Sequence, residues 1–169
     1  MKMETSILNA DQIDKKITRI AYEIYEENSS EKEIVFAATF EGGYEFAQKL
    51  ELVLKKISPL KITLMKVLVN KNKLSEEGSV KLDKKIDLAG KTVILVDDVL
   101  NTGQMLAYCM KTLLQFPVKS LRIAVLVDRN HTLFPIKSDY TGLSISTTLQ
   151  EHITVNLKIK GKESVTLKD

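Results

Sequence analysis

The residues best suited to chemistry lie in one stretch, Thr92–Leu106. An apolar run, Thr92–Val96, leads into two adjacent acids, Asp97 and Asp98, and then into a turn carrying Thr102 and Gly103. Such a run reads as a buried strand, and ligands of open α/β sheets sit at the carboxyl ends of their strands. Gly103–Phe116 has helical spacing, so the first free amides of that helix and the positive end of its dipole converge beside the turn. That arrangement suits a phosphate. The acids cannot serve the phosphate itself, because like charges repel; they suit sugar hydroxyls, or a magnesium ion that neutralises a second phosphate group. An isolated Asp-Asp pair would be read as capping acids at a strand end. Strand, acid pair, turn and helix together read as a sugar-phosphate site.

Other reactive side chains carry less. His131 follows Asp128-Arg129-Asn130 and has the acid–base character of any histidine near neutral pH, but a structural bond to a nearby loop explains it equally well. His152 has no partner in the sequence and reads as a surface residue. Cys109 falls among Leu106, Met110 and Leu113 and reads as a buried thiol. As the only cysteine it excludes an internal disulfide and a cysteine-rich metal site. Lys158, Lys160, Lys162 and Lys168 form a basic C-terminal stretch that reads as a solvated tail.

Alternating elements must position the acids. Asn9–Asn28 repeats Ile13, Ile17, Ile20, Ala21 and Ile24 at helical spacing, with Asn9 or Asp11 as its cap. Glu33–Phe40 is apolar on both faces, as a buried parallel strand requires, and Gly42-Gly43 breaks it before a helix over Tyr44–Ile57. Lys61–Val69 is the next strand. Asn70–Asp83 is polar and long for a connection within a compact domain, which marks a mobile lid over 70–83. Thr92–Val96, Lys119–Val127 and a late run, Ile153–Ile159, complete the strands. The fold class is α/β, a mainly parallel central sheet flanked by helices with right-handed crossovers. No linker or repeat interrupts 1–169, so one domain is expected.

The formal charge of +3 is too small to imply nucleic-acid binding by itself. The polar start, Met1-Lys2-Met3-Glu4, lacks a signal-peptide core, and no apolar run approaches the roughly 20 residues needed to cross a bilayer. The expectation is a cytoplasmic protein with no membrane partner.

Thr92–Leu106 resembles the phosphoribosyl-pyrophosphate (PRPP) motif of type I phosphoribosyltransferases. The likeness extends to one branch, the pyrimidine-operon regulators that also act as uracil phosphoribosyltransferases, the PyrR family. Thr18-Arg19-Ile20-Ala21-Tyr22-Glu23-Ile24 is similar to that branch's first helix. Leu126-Val127-Asp128-Arg129-Asn130-His131 and Pro135-Ile136-Lys137-Ser138-Asp139-Tyr140-Thr141-Gly142 track its segment after the motif. The resemblance implies that Asp97 and Asp98 hold the ribose hydroxyls. It implies that Asn101, Thr102, Gly103, Gln104 and Met105 cradle the 5-phosphate, and that Glu41, Gly42 and Gly43 form a pyrophosphate loop. It places Val127, Asp128 and Arg129 on the base side and 70–83 as the lid. It further implies Mg2+ bound through PRPP with no protein ligand assigned, a nucleobase or nucleoside monophosphate as the other ligand, and a homo-oligomer.

The sequence also departs from that pattern. Active members offer a basic residue in the pyrophosphate loop, as in Thr-Arg-Gly; here the loop reads Thr39-Phe40-Glu41-Gly42-Gly43. The lid lacks a Tyr-Arg-Asp-Asp-like run and has Met65-Lys66-Val67-Leu68-Val69-Asn70-Lys71 instead, where Lys66 or Lys71 supplies charge but lysine does not replace a planar arginine fork. Gln104 stands where the branch favours arginine, and Met105 where it has threonine. Two functions are therefore carried forward. One is transfer of phosphoribosyl from PRPP to a pyrimidine such as uracil. The other is a catalytically impaired PyrR-like regulator that binds a nucleotide or PRPP, with RNA as a further partner. A receiver domain is set aside, because its acid pair follows the first strand.

Overall fold

β-branched runs build the sheet, and apolar stripes on the helices cover it. The computed structural model describes residues 4–168; the start read above as lacking a signal-peptide core, Met1–Met3, lies outside the described residues. In chain order the elements are β1 (Glu4–Leu8), α1 (Ala10–Glu27), β2 (Glu33–Thr39), α2 (Gly42–Ile57), β3 (Lys61–Val69), β4 (Val80–Leu82) and β5 (Thr92–Leu100). They continue with α3 (Gln104–Leu113), β6 (Ser120–Asp128), β7 (Tyr140–Ser144), β8 (His152–Asn156) and β9 (Ser164–Lys168).

The central sheet has the order β4-β3-β2-β5-β6-β7. Every pairing in it is parallel except that of the edge strand β4 with β3. A mainly parallel sheet flanked by helices is the architecture expected. Period-2 alternation divides its side chains between two layers. Ile34, Phe36, Ala38, Ile94 and Val96 pack with Ile17, Ile20 and Ile24 of α1 and Phe46, Leu50 and Leu54 of α2. Val35, Ala37, Val93 and Leu95 pack with Leu106, Cys109 and Leu113 of α3 on the other side.

Local chemistry sets several boundaries. Asn9 caps α1: its side chain accepts from Gln12 N at 2.9 Å, and Gln12 Oε1 accepts from Asn9 N at 3.0 Å, a reciprocal box that satisfies two free donors. α2 starts at Gly42, so Gly42-Gly43 does not separate strand from helix as expected but opens the helix. β5 does not end at Val96; it runs through both acids to Leu100, because β6 continues to pair with it at Asp97, Val99 and Leu100 after β2 has stopped at Val96.

Lys158, Lys160 and Lys162 are exposed in the connection between β8 and β9, as a solvated stretch would be, but the segment is not a tail. β9 carries Lys168 and pairs antiparallel with both β1 and β8 in a second, three-stranded sheet, and its Val165 is fully buried in the core. The late strand spans His152–Asn156 rather than running on to Ile159. The connection over 70–83 holds a short 3-10 turn, Lys71–Lys73, and the strand β4.

Candidate functional site

Strand order reverses between β2 and β5: β3 and β4 extend one way, β6 and β7 the other. Such a switch point opens a crevice at the carboxyl ends of the two strands. The sequence places Thr39–Gly43 at the end of β2 and Asp97–Gly103 at the end of β5, so the structure brings the two expected loops together.

Alternation along β5 sends the acids to opposite faces. Asp97, 4% exposed, lies on the α3 side and helps line a cleft of about 220 Å³ with Lys71, Leu74 and Val99–Leu106. Its Oδ1 accepts from Thr39 Oγ1 at 2.6 Å and from Asp98 N at 2.9 Å. Burial first, and then the neighbouring Asp98 carboxylate, raise the Asp97 pKa well above the ordinary value. Asp98 lies on the α2 side, with Oδ1 accepting from Val99 N at 2.9 Å.

The two glycines let α2 approach this pair. A Cβ at Gly42 would stand 2.1 Å from Asp98 Oδ2, and one at Gly43 only 2.4 Å from Val96 O and 2.3 Å from Thr39 Oγ1. No side chain fits at either position, and the N-terminus of α2 is held against the acids.

After β5 the chain turns through Asn101–Gly103. Gly103, at φ 82°, adopts the left-handed region with Ile136 packed beneath it, a place that favours glycine. Thr102 Oγ1 accepts from Gln104 N at 3.3 Å, and Thr102 O accepts from Leu133 N at 2.8 Å and Phe134 N at 3.1 Å. α3 begins at Gln104, so the first amides of its opening turn have no intrahelical partner. Asn101, Thr102 and Gln104 are exposed.

Across the crevice, Glu41 faces Lys158 Nζ at 3.3 Å, and Lys158 also stands 4.0 Å from Glu45. Burial raises the Glu45 pKa, with Lys158 opposing the shift and Glu41 and Asp98 adding to it. Lys66 Nζ lies 4.9 Å from the Phe40 ring centroid and 4.6 Å from that of Tyr44, within cation–π range. Two ammonium groups thus flank a loop, Thr39–Gly43, that has no basic residue of its own.

In the segment after β6, Asp128 Oδ1 accepts from Asn130 N at 2.8 Å. Arg129 is 9% exposed and hydrogen-bonded within the fold. His131 Nε2 meets Thr147 O at 2.5 Å.

The partners of Thr39 and Lys158 are not legible in the sequence, because these contacts join residues far apart along the chain and no spacing rule connects them. The one available signal was the polar Thr39 at the end of an otherwise apolar strand.

Comparison with known proteins agrees with this geometry. The family described as phosphoribosyl transferase domain matches residues 3–160. The chain is similar to the bifunctional protein PyrR of Clostridium kluyveri, 31% identical over 93% of this chain and 92% of that one. It is 33% identical to the protein of the same name from Clostridium perfringens, over 98% and 97% of the two chains. Among solved structures, a hypoxanthine phosphoribosyltransferase of Trypanosoma cruzi superposes with a TM-score of 0.78 at 16% identity, covering 95% of each chain. A hypoxanthine-guanine phosphoribosyltransferase of Bacillus anthracis gives 0.76 at 20% identity, over 97% and 99%. At these identities the two structures speak for the fold alone.

Proposed function

The chain belongs to the phosphoribosyl transferase domain family, in its PyrR branch, and on that footing we propose that it transfers phosphoribosyl from PRPP to a pyrimidine base, with uracil the preferred acceptor. The observation that carries this reading is the meeting of the Asp97-Asp98 pair, the Gly103 turn and the start of α3 at one switch point. In this reading the amides of the Asn101–Met105 turn hold the 5-phosphate, and Asp97 and Asp98 face the ribose. The glycosidic bond to pyrophosphate breaks as a ring nitrogen of the base bonds to C1, and the base gives up its N–H proton. Positive charge grows on the ribose as pyrophosphate leaves, so the Asp98 carboxylate held nearby lowers the barrier.

Magnesium accompanies PRPP in this reading. Among the described residues, no group of three or more His, Cys, Asp and Glu side chains is arranged to hold a metal. The single carboxylate of Asp98 beside an open crevice suits an ion that keeps substrate oxygens and water as most of its ligands. When bound, the ion neutralises charge on the departing pyrophosphate.

Glu41 does not bar the pyrophosphate end of the ligand, because Lys158 and Lys66 stand at the same loop. Their mobile ammonium groups are weaker substitutes for a bidentate arginine, and this favours a second reading: a regulator that binds a nucleotide or PRPP with little turnover. RNA binding would rest on lysines. Arg19 holds Glu23, Thr141 O and Gly142 O; Arg122 holds Glu27 and Asp139; Arg129 is buried. A cytoplasmic location and self-association complete the proposal.

Incubating the intact chain with PRPP, Mg2+ and a panel of bases decides between the two functions. Release of pyrophosphate with formation of UMP is the expected result. Saturable binding of UMP or PRPP without product would establish the regulator.

A further inference from the structure

Arg129 lies in the segment assigned to the base side, yet all of its guanidinium nitrogens are engaged in the fold. Nε donates to Thr147 Oγ1 at 2.9 Å and Nη1 to Asn101 Oδ1 at 2.8 Å; Nη2 donates to Thr148 O at 3.2 Å and to Glu151 O at 2.6 Å. One end of this fork holds the first residue of the Asn101–Met105 turn. The other holds residues 147–151, which lead into β8. His131 Nε2 on Thr147 O and Thr148 N on Glu151 Oε2 hold the same segment from other sides.

The charge on Arg129 is poorly balanced. It is 9% exposed, and each of its acceptors is neutral: an amide, a hydroxyl and two carbonyls. Among the described residues, no carboxylate oxygen lies within 4.0 Å of it. Glu151 feels its charge but directs its carboxylate to the Thr148 amide. A buried cation with no carboxylate in direct contact is costly. An anion held in the adjacent turn would supply the missing charge and strengthen the fork.

We propose that Arg129 is a positioning residue that couples the phosphate turn to residues 147–151, so that a sugar phosphate bound at Asn101–Met105 stiffens the segment leading into β8. This rests on reading that turn as the 5-phosphate site. Lysine keeps the charge but cannot reproduce four bonds in one plane, so Arg129→Lys separates coupling from simple electrostatics.

The test is amide hydrogen exchange of the intact chain with and without ribose 5-phosphate, with affinity measured by calorimetry. In the wild type the ligand should bind and slow exchange across 147–151 by about fivefold or more, within the usual range of coupling between sites. Arg129→Lys should still bind ribose 5-phosphate saturably, with its affinity weakened by about the same fivefold factor because coupling is reciprocal, but lose that slowing. Thr147→Val removes one acceptor and leaves the guanidinium in place; it should lose part of the slowing, and it decides the matter if the lysine variant does not fold. Binding with no slowing in the wild type, or with full slowing in the variants, overturns the coupling alone. Failure of ribose 5-phosphate to bind the wild type overturns the phosphate-site reading, and the coupling with it.

Discussion

Asp97 puts a carboxyl where the fold disfavours its charge. Burial raises its pKa well above the ordinary carboxylate value, so the folded chain binds more protons than the unfolded one at pH values between the ordinary and the raised value. Stability then falls as pH climbs through that window. Asp97→Asn should remove this slope and raise the thermal midpoint of the ligand-free protein near neutral pH, while weakening its hold on ribose phosphates. Midpoints recorded against pH for both proteins check this; a parallel pair of curves would mean that Asp97 is not strained. Cys109 makes a simpler case. Burial, with Asp97 adding to it, pushes its thiol up to about 12, so the native protein should not react with an aromatic disulfide reagent at pH 8, while the denatured protein reacts at once. At this scale the sequence was readable where type and spacing carried the message: the acid pair, Thr102, Gly103 and the buried cysteine. It was silent on the Thr39–Asp97, Lys158–Glu41 and Asn101–Arg129 contacts, each of which joins residues that only the folded chain brings together.

The start of α2 and the end of β5 act as one joint. Gly43→Ala would drive a methyl to within 2.4 Å of Val96 O and should cost about 1–3 kcal/mol, the usual penalty of overpacking, measured by urea unfolding. Gly42→Ala meets the Asp98 carboxylate at 2.1 Å instead, so it should damage ligand affinity. At the opposite ends of the strands, Glu33 binds Lys91 Nζ at 2.6 Å and Thr63 Oγ1 at 2.7 Å. Those bonds, Lys91 first, lower its pKa from 4.5 to about 2. Its contribution to stability is therefore complete above pH 4.5 and lost as pH falls toward 2. Glu33→Gln should flatten the acid limb of the stability curve in that window, as read from denaturation midpoints. The helices and the central parallel strands were legible because long periodic runs announce themselves. β1, β4, β7 and β9 were not: they are short, and the order of pairing that buries Val165 of β9 depends on residues at the other end of the chain.

Across the whole molecule, a parallel sheet with a switch point at β2 and β5 sets the site, and the small sheet of β1, β8 and β9 brings Lys158 to its rim. No helix among the described residues is long and apolar enough to cross a membrane. The likeness to PyrR proteins runs over most of the chain. The central claim is that Asp97–Met105 holds a phosphoribosyl group. Calorimetric titration of PRPP with Mg2+ into the intact chain and into Asp98→Asn tests it most directly. The account predicts saturable binding at one site per chain, weakened about tenfold or more by the substitution, as expected for loss of a charge-assisted contact. No binding by the wild-type chain, or equal binding by both proteins, would contradict it.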